Sequence, residues 1–336
     1  MKKEEKKKRI ITVPRVIIAI VVIIILIITI TIFMITNTLS NMMKMELDEA
    51  DLAVNNELYD ELTEYGITKK EFDSIINIAF FGSDSRDLSN MDSGRADTIM
   101  IISVNPTKKS IKMISIPRDT YVNVPGYGNT KINHSYAYGQ EQLAIKTINS
   151  NFGLNITEYV TINFEGLINV INAVGGVDIN ISKEERDVLN EYLKDSYQIM
   201  GKEYVPMTEY GDVHLNGEQA LAHCRDRYVG SDFTRAERQR EVLTEVMGKI
   251  SQKSFGEMLD LVDIFLQQVR TNINVSEYLG LAASAFTNKD DYMNNIISAQ
   301  VPSTDYGKGD YIDGVYYFVA DLDTCKKDMY EYIYNK

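Results

Sequence analysis

The chain has 336 residues, with 48 acidic against 35 basic side chains, a formal net charge of −13, two cysteines and three histidines. That acidity excludes general nucleic-acid binding, which depends on neutralising phosphates over a broad basic surface. The few cysteines and histidines, at no metal-ligand spacing, exclude a structural zinc site, and the length permits one large domain or two small ones.

Residues 1–15 carry seven basic and two acidic side chains, a net +5, so the remainder carries −18. The uncharged run Val16–Ile35 follows, twenty residues of mostly Ile and Val. As a helix it is about 30 Å long, the thickness of a bilayer's hydrocarbon core. A cleaved signal peptide would have an apolar region of about 7–15 residues and end in a small-x-small site, which Thr36-Asn37-Thr38-Leu39-Ser40 does not offer. The run therefore reads as one N-terminal transmembrane helix, with residues 1–15 as a basic cytoplasmic tail and everything after Ile35 outside the cell membrane. On that oxidising side Cys224 and Cys325 form one disulfide or stay two buried thiols, alternatives the spacing leaves open.

Residues 36–74 are polar and acidic, with Leu47, Leu52, Val54, Leu58 and Leu62 at irregular helical spacing, and read as a helical spacer. From Ile75 the texture changes to short β-branched runs ended by turn residues. Ile75–Phe81 stops at Gly82, Thr98–Val104 at Asn105-Pro106 and Ile111–Ile116 at Pro117, three strands of which the second and third form a hairpin. Ala137–Phe152 reads as a helix, Tyr159–Phe164 as a strand, Gly166–Val174 as a helix closed by Gly175-Gly176, and Val177–Ile181 as a strand. Helical patterns run from Gly217 to about Phe286. Strands at Asn295–Val301 and Val315–Val319 and a helix from Asp321 follow. Strands alternating with helices, apolar on both faces, predict residues 75–336 as one α/β domain, a three-layer α-β-α sandwich around a central mixed sheet.

Five of the twelve arginines fall within Arg225–Arg240. A guanidinium presents a planar fork of donors that matches phosphate oxygens in pairs, so such a cluster in an acidic protein points to an anion site. The helix after Asp232 or Thr234, either a candidate N-cap, supports this. Advancing about 100° per residue from Arg235 puts Gln239, Val242, Leu243, Val246 and Ile250 within about 80° of it, the buried arc. Arg238 and Arg240 fall toward the edges of that arc and outside the expected site. An arginine and a glutamine pointing inward need a partner, either an anion at the helix N-terminus or carboxylates such as Asp226 or Asp232. Two more clusters sit at strand ends. Gly82-Ser83-Asp84-Ser85-Arg86 with Arg95-Ala96-Asp97-Thr98 places two carboxylates where magnesium would take them together with phosphate oxygens. Ser115-Ile116-Pro117-Arg118-Asp119 adds an arginine at the edge where open α/β sheets gather ligands.

Gly82-x-Asp84-x-Arg86, Arg95-x-Asp97-Thr98, Ser115-Ile116-Pro117-Arg118-Asp119, Lys131-Ile132-Asn133-His134-x-Tyr136-Ala137, Gly175-Gly176-Val177, Leu215-Asn216-Gly217-x-x-Ala220-Leu221 and Arg225-x-Arg227 followed by Asp232-x-x-Arg235-x-x-Arg238-Gln239 stand in order. In this set and order the chain resembles the LytR-CpsA-Psr family from Ile75 to about Ile250, a family whose members also carry a single N-terminal anchor. The resemblance implies a Gram-positive envelope phosphotransferase, attaching a teichoic acid or capsular polysaccharide from an undecaprenyl pyrophosphate carrier to the C6 hydroxyl of muramic acid in peptidoglycan. It implies that Asp84 and Asp97 organise Mg2+ and that Arg95, Arg118, Arg225, Arg227, Arg235 and Gln239 surround the pyrophosphate. Asp84, Arg118 and Arg227 would be catalytic, Asp84 the first candidate for the base, with Asp232 and Arg86 in support. Two alternatives are a hydrolase releasing the lipid to water and a non-enzymatic sensor or transcriptional attenuator. The external placement and intact arginine set weigh against the second. The chain departs from the family pattern at Cys224, where a small residue is usual, and at Gly139-Gln140, where a glycine pair is more common. A polyprenyl tail would further need an apolar slot beside the arginines, on the sheet face and helices such as Phe164–Val174.

Overall fold

The computed structural model describes residues 46–85, 94–230, 232–274 and 279–335. The basic tail, the run Val16–Ile35, the first part of the expected spacer and Arg86 lie outside these residues. Among the described residues no helix is long and apolar enough to cross a membrane.

Twelve strands are present among the described residues, and six of them build the central sheet in the order β10-β3-β2-β1-β6-β9. β1 (Ile76–Ser83) lies between β2 (Ala96–Asn105), antiparallel to it, and β6 (Glu158–Ile162), parallel to it. β3 (Ser110–Ser115) forms the expected hairpin with β2, while β10 (Ile296–Gln300) joins β3 in parallel and β9 (Val269–Thr271) closes the other edge antiparallel to β6. The sheet is therefore mixed, as the alternation of elements implied.

Residue alternation divides the two faces. Ala79 and Phe81 point into one core with Ile99, Ile101 and Ile114, and Ile78 and Phe80 pack against the other with Val160 and Ile162. The first core is covered by α3 (Ile132–Phe152) and α11 (Leu322–Tyr330), after α1 (Leu58–Glu61) and α2 (Lys69–Ser74) at the start of the chain. Leu52, Leu58 and Leu62 are fully buried in it, so the later part of the expected spacer is part of the domain's core. The second core is covered by α4 (Phe164–Val174), α5 (Lys183–Ile199), α6 (Gly217–Arg225), α7 (Asp232–Ser251) and α8 (Phe255–Gln268). The helices α9 (Leu279–Thr287) and α10 (Lys289–Asn294) precede β10.

Local chemistry sets these boundaries. The Asn163 side chain caps α4 by accepting from Gly166 N–H, and Gly175 ends it at φ 97°, where Gly176 N–H reaches Ile171 C=O, the pattern that satisfies a helix's last carbonyls. α5 was not anticipated, although Ser182 and Glu185 form a reciprocal capping box. Its low apolar content hides it, since only Leu189, Leu193, Ser196 and Tyr197 are buried. The expected helical stretch from Gly217 to Phe286 is broken by β9, three residues whose periodicity alone cannot be told from a helix's. Three two-stranded ribbons also escaped the reading in whole or part: β4 (Tyr121–Val124) with β5 (Gly128–Lys131), β7 (Val177–Ile181) with β8 (Gly211–Leu215), and β11 (Lys308–Ile312) with β12 (Val315–Val319). Within α3 the helix breaks at Gly139 and Gln140, and Gln140 sits at φ 51°, ψ −145°, a region glycine occupies freely and a side chain does not.

The two cysteines are free thiols. Cys224 lies in the second core and Cys325 in the first, on opposite faces of the sheet. Burial pushes each thiol up to about 12.

Candidate active site

A cavity of about 630 Å3 lies between the second face of the sheet and helices α4, α7 and α8. Its mouth is polar, formed by Asp84, Asp97, Arg225, Arg227, Arg235 and Gln239. Its interior is apolar, with Phe80, Met100 and Ile162 from the sheet, Leu167, Val170 and Val174 from α4, Val242, Val246 and Ile250 from α7, and Leu261 and Phe265 from α8. The apolar slot expected beside the arginines is present, and α8 contributes to it unforeseen.

Asp97, near the start of β2, organises the mouth. Arg118 Nη1 donates to its Oδ1 and Arg227 Nη2 to its Oδ2, each at 2.7 Å, and Arg235 Nη2 donates to its backbone carbonyl at 3.4 Å. Burial pushes this carboxyl up, but the guanidinium groups of Arg118, Arg227 and Arg235 outweigh it and hold it below the usual carboxylate range. Asp97 therefore stays ionised and ties together three chain segments far apart in sequence. Asp232, to which the resemblance gives a supporting role, opens α7, and its side chain lies outside what the structure describes.

Asp84 follows β1. Its Oδ1 accepts from Arg95 N–H at 2.8 Å, and its own N–H donates to Arg95 C=O at 3.1 Å. Gly94 makes this turn possible: at φ 135° it lies so near Asp84 that an added Cβ would be 2.6 Å from Oδ1. Arg95 meets Asp84 through its backbone; its side chain is exposed and does not line the cavity. Arg118 joins the mouth through Asp97.

Arg225, the last residue of α6, is held by residues that the sequence reading missed. Its Nη1 donates to Asp195 Oδ2 at 2.6 Å, and its guanidinium lies 4.7 Å from the Phe164 ring centroid and 5.4 Å from that of Tyr192. Asp195 and Tyr192 both come from α5, and the capping box that opens that helix was the available signal. A guanidinium fixed between two rings and a carboxylate keeps its remaining donors aimed at the cavity.

The face of α7 follows the 100° spacing. Arg235 is buried and lines the cavity, and Gln239 donates from Nε2 to Cys224 C=O at 3.4 Å. Arg238 and Arg240 stay outside the cavity, as expected, but both are buried rather than marginal. Arg238 meets Glu185 at 2.9 Å and the carbonyls of Asp226 and Val229, and Arg240 donates to Ser115 Oγ at 2.7 Å. The partner proposed for internal pairing, Asp226, serves Arg238, whose Nη2 is 3.3 Å from Asp226 Oδ2. The reason is packing: the first turns of α7 are flanked by the N-terminus of α5 on one side and the end of β3 on the other.

Among the described residues no group of three or more His, Cys, Asp or Glu side chains could hold a metal ion. A magnesium ion that keeps water and phosphate ligands needs only one or two carboxylates, and Asp84 and Asp97 both face the mouth, so the donor set fits such an ion. Asp97 would share its oxygens between the ion and the two arginines.

A mixed α/β sheet carrying an arginine-lined mouth over a long apolar slot defines a protein built to bind an anion attached to a hydrocarbon chain. The sequence model of the LytR_cpsA_psr family matches residues 27–332, and the chain belongs to this family. TagU of Oceanobacillus iheyensis, a polyisoprenyl-teichoic acid–peptidoglycan teichoic acid transferase, is 33% identical over 260 residues, covering 75% of this chain and 72% of its own. TagT of Bacillus subtilis, which bears the same transferase name, is 31% identical over 269 residues, or 77% and 78% of the two chains. A solved structure of TagT bound to LIIa-WTA matches with a TM-score of 0.61 at 27% identity, covering 78% of this chain and 90% of that one. Another, with bound octaprenyl pyrophosphate lipid, matches at 0.56 and 25% identity, over 77% and 90%.

Proposed function

We propose that this protein transfers a teichoic-acid-type glycopolymer from a polyisoprenyl pyrophosphate carrier to peptidoglycan. The observation that carries the reading is the continuity of the cavity, whose arginine mouth suits a pyrophosphate and whose slot suits the attached polyisoprenyl chain. The relatives TagU and TagT, transferases by name, support it.

The chemistry asks the protein for position and charge more than for covalent help. Arg227 and Arg235 grip the pyrophosphate oxygens with Arg225, and the N-terminus of α7 adds its positive dipole end. The acceptor hydroxyl oxygen forms a bond to the sugar-side phosphorus, and the bond from that phosphorus to the bridging oxygen breaks. Polyisoprenyl monophosphate leaves with the electron pair. The hydroxyl proton passes to Asp84 or to the departing phosphate. Mg2+, held by Asp84 and Asp97, would supply further positive charge for the oxygens of the transferring group. Arg118 positions Asp97 and adds its charge behind it. The run Val16–Ile35 anchors the chain, with the basic tail in the cytoplasm and the cavity outside.

Mass spectrometry of lipid extracted from the detergent-purified full chain tests this reading, alongside Ala173→Trp, which fills the slot at a cavity-lining position of α4. A polyisoprenyl phosphate or pyrophosphate in the parent protein, absent from a folded Ala173→Trp variant, is the expected result. A parent protein free of such lipid after incubation with it refutes the reading.

A further inference from the structure

An exposed aromatic strip that the site above does not use lies on the β4–β5 turn and the start of α3, the elements that follow Arg118 in the chain. His134, in the first turn of α3, has its Nδ1 2.8 Å from Thr130 Oγ1. Its neighbour Asn133 donates its backbone N–H to Arg118 C=O at 3.2 Å, which places the start of α3 beside the arginine that pairs with Asp97. One helical turn on, the Tyr138 ring lies 5.7 Å from that of His134 and stacks on Tyr127 of the β4–β5 turn, with centroids 4.5 Å apart and planes 22° apart. Tyr127 and Tyr138 are 58% and 47% exposed. Two large rings paired in solvent, rather than packed in the core, mark a recognition surface.

We propose that the Tyr127–Tyr138 stack is the acceptor subsite, holding a sugar ring of the peptidoglycan glycan strand against its exposed face and bringing a hydroxyl to the cavity mouth. This rests on the transferase reading above. A pyranose ring offers a patch of C–H groups on its face and hydroxyls around its edge, and a tyrosine offers a flat apolar face with a polar rim. Two features favour a glycan over a lipid surface. The strip joins, through the start of α3, the segment that carries Arg118 and so adjoins the mouth, where the acceptor must arrive. Its border on the β4–β5 ribbon carries amides, Asn123 donating to Asn129 at 3.1 Å, and the ribbon's one lysine, Lys131, is paired with Asp119 at 2.7 Å, unlike the clustered free lysines and arginines that bind anionic bilayers.

The test is the double variant Tyr127→Ala/Tyr138→Ala in the full chain, assayed for transfer against peptidoglycan glycan concentration at saturating lipid-linked donor. The KM for acceptor should rise about tenfold, equivalent to 1.4 kcal/mol, with kcat and donor KM within about twofold. Tyr127→Phe/Tyr138→Phe, which keeps both rings, should restore the acceptor KM. An unchanged acceptor KM overturns the proposal, and so does a variant that loses binding to phosphatidylglycerol vesicles while its acceptor KM holds. If the parent chain transfers nothing, the transferase reading fails on its own. The subsite is then read by titrating parent and double variant with a soluble muramic-acid-containing glycan: binding by the parent alone supports it, and equal binding or none overturns it.

Discussion

Replacing Asp97 with Asn removes the charge that three arginines share while nearly preserving shape. A hydrogen bond to a charged group contributes about 1.5–3 kcal/mol. The Arg118 pair, with both side chains 20% exposed, merits a value in that range. The Arg227 pair deserves less, because Arg227 is 45% exposed and screened by water. The Asn oxygen retains one neutral bond, so the net loss is about 2 kcal/mol, or a fall in Tm of about 4 °C for a domain of this size. The pH dependence has a definite sign. Because the folded-state pKa of Asp97 lies below its ordinary value of 3.8, its contribution is complete above about pH 4 and is lost as pH falls through the folded value. Thermal unfolding of parent and variant should therefore show a constant deficit between pH 5 and 7 that shrinks below about pH 4. A deficit under about 0.5 kcal/mol at pH 7, or one that grows on acidification, would refute the reasoning.

Glu141, on α3, is fully buried against β6 and β9, accepting from Arg270 Nη2 at 2.8 and 3.0 Å, Thr161 Oγ1 at 2.6 Å and Tyr136 Oη at 3.1 Å. Glu141→Gln leaves the Arg270 charge unbalanced and should cost about 3–5 kcal/mol in urea unfolding; a loss below about 1 kcal/mol would show that water reaches the pair. Gln140→Gly relieves the φ of 51° and should raise stability by about 1 kcal/mol after glycine's extra chain entropy is subtracted, read as a higher urea midpoint. Neither cysteine should react with a thiol reagent at pH 8 in the folded protein, since burial raises both to about 12, and both should react on unfolding. A single fast-reacting thiol in the native state would contradict the packing of its core.

The elements legible in the sequence were those whose signal is local. β7 and β12 match the expected Val177–Ile181 and Val315–Val319, because short β-branched runs between turn residues have few other structures open to them. The inward face of α7, with Arg235 and Gln239 among apolar residues, follows from helical period alone, and the arginine cluster announced an anion site before any fold was known. The order of the motifs placed the chain in its family. Tertiary structure alone decided the rest. That Asp97 rather than a nearer carboxylate ties Arg118 and Arg227 depends on β2, the β3 end and the α6–α7 turn meeting in space, a contact across 130 residues that no local pattern encodes. The same holds for Asp195 and Tyr192 beside Arg225 and for the α8 side chains lining the slot. An apolar residue has the same local preference in a packed core as in a cavity wall, so only the spacing between helices and sheet separates a filled interior from a binding slot.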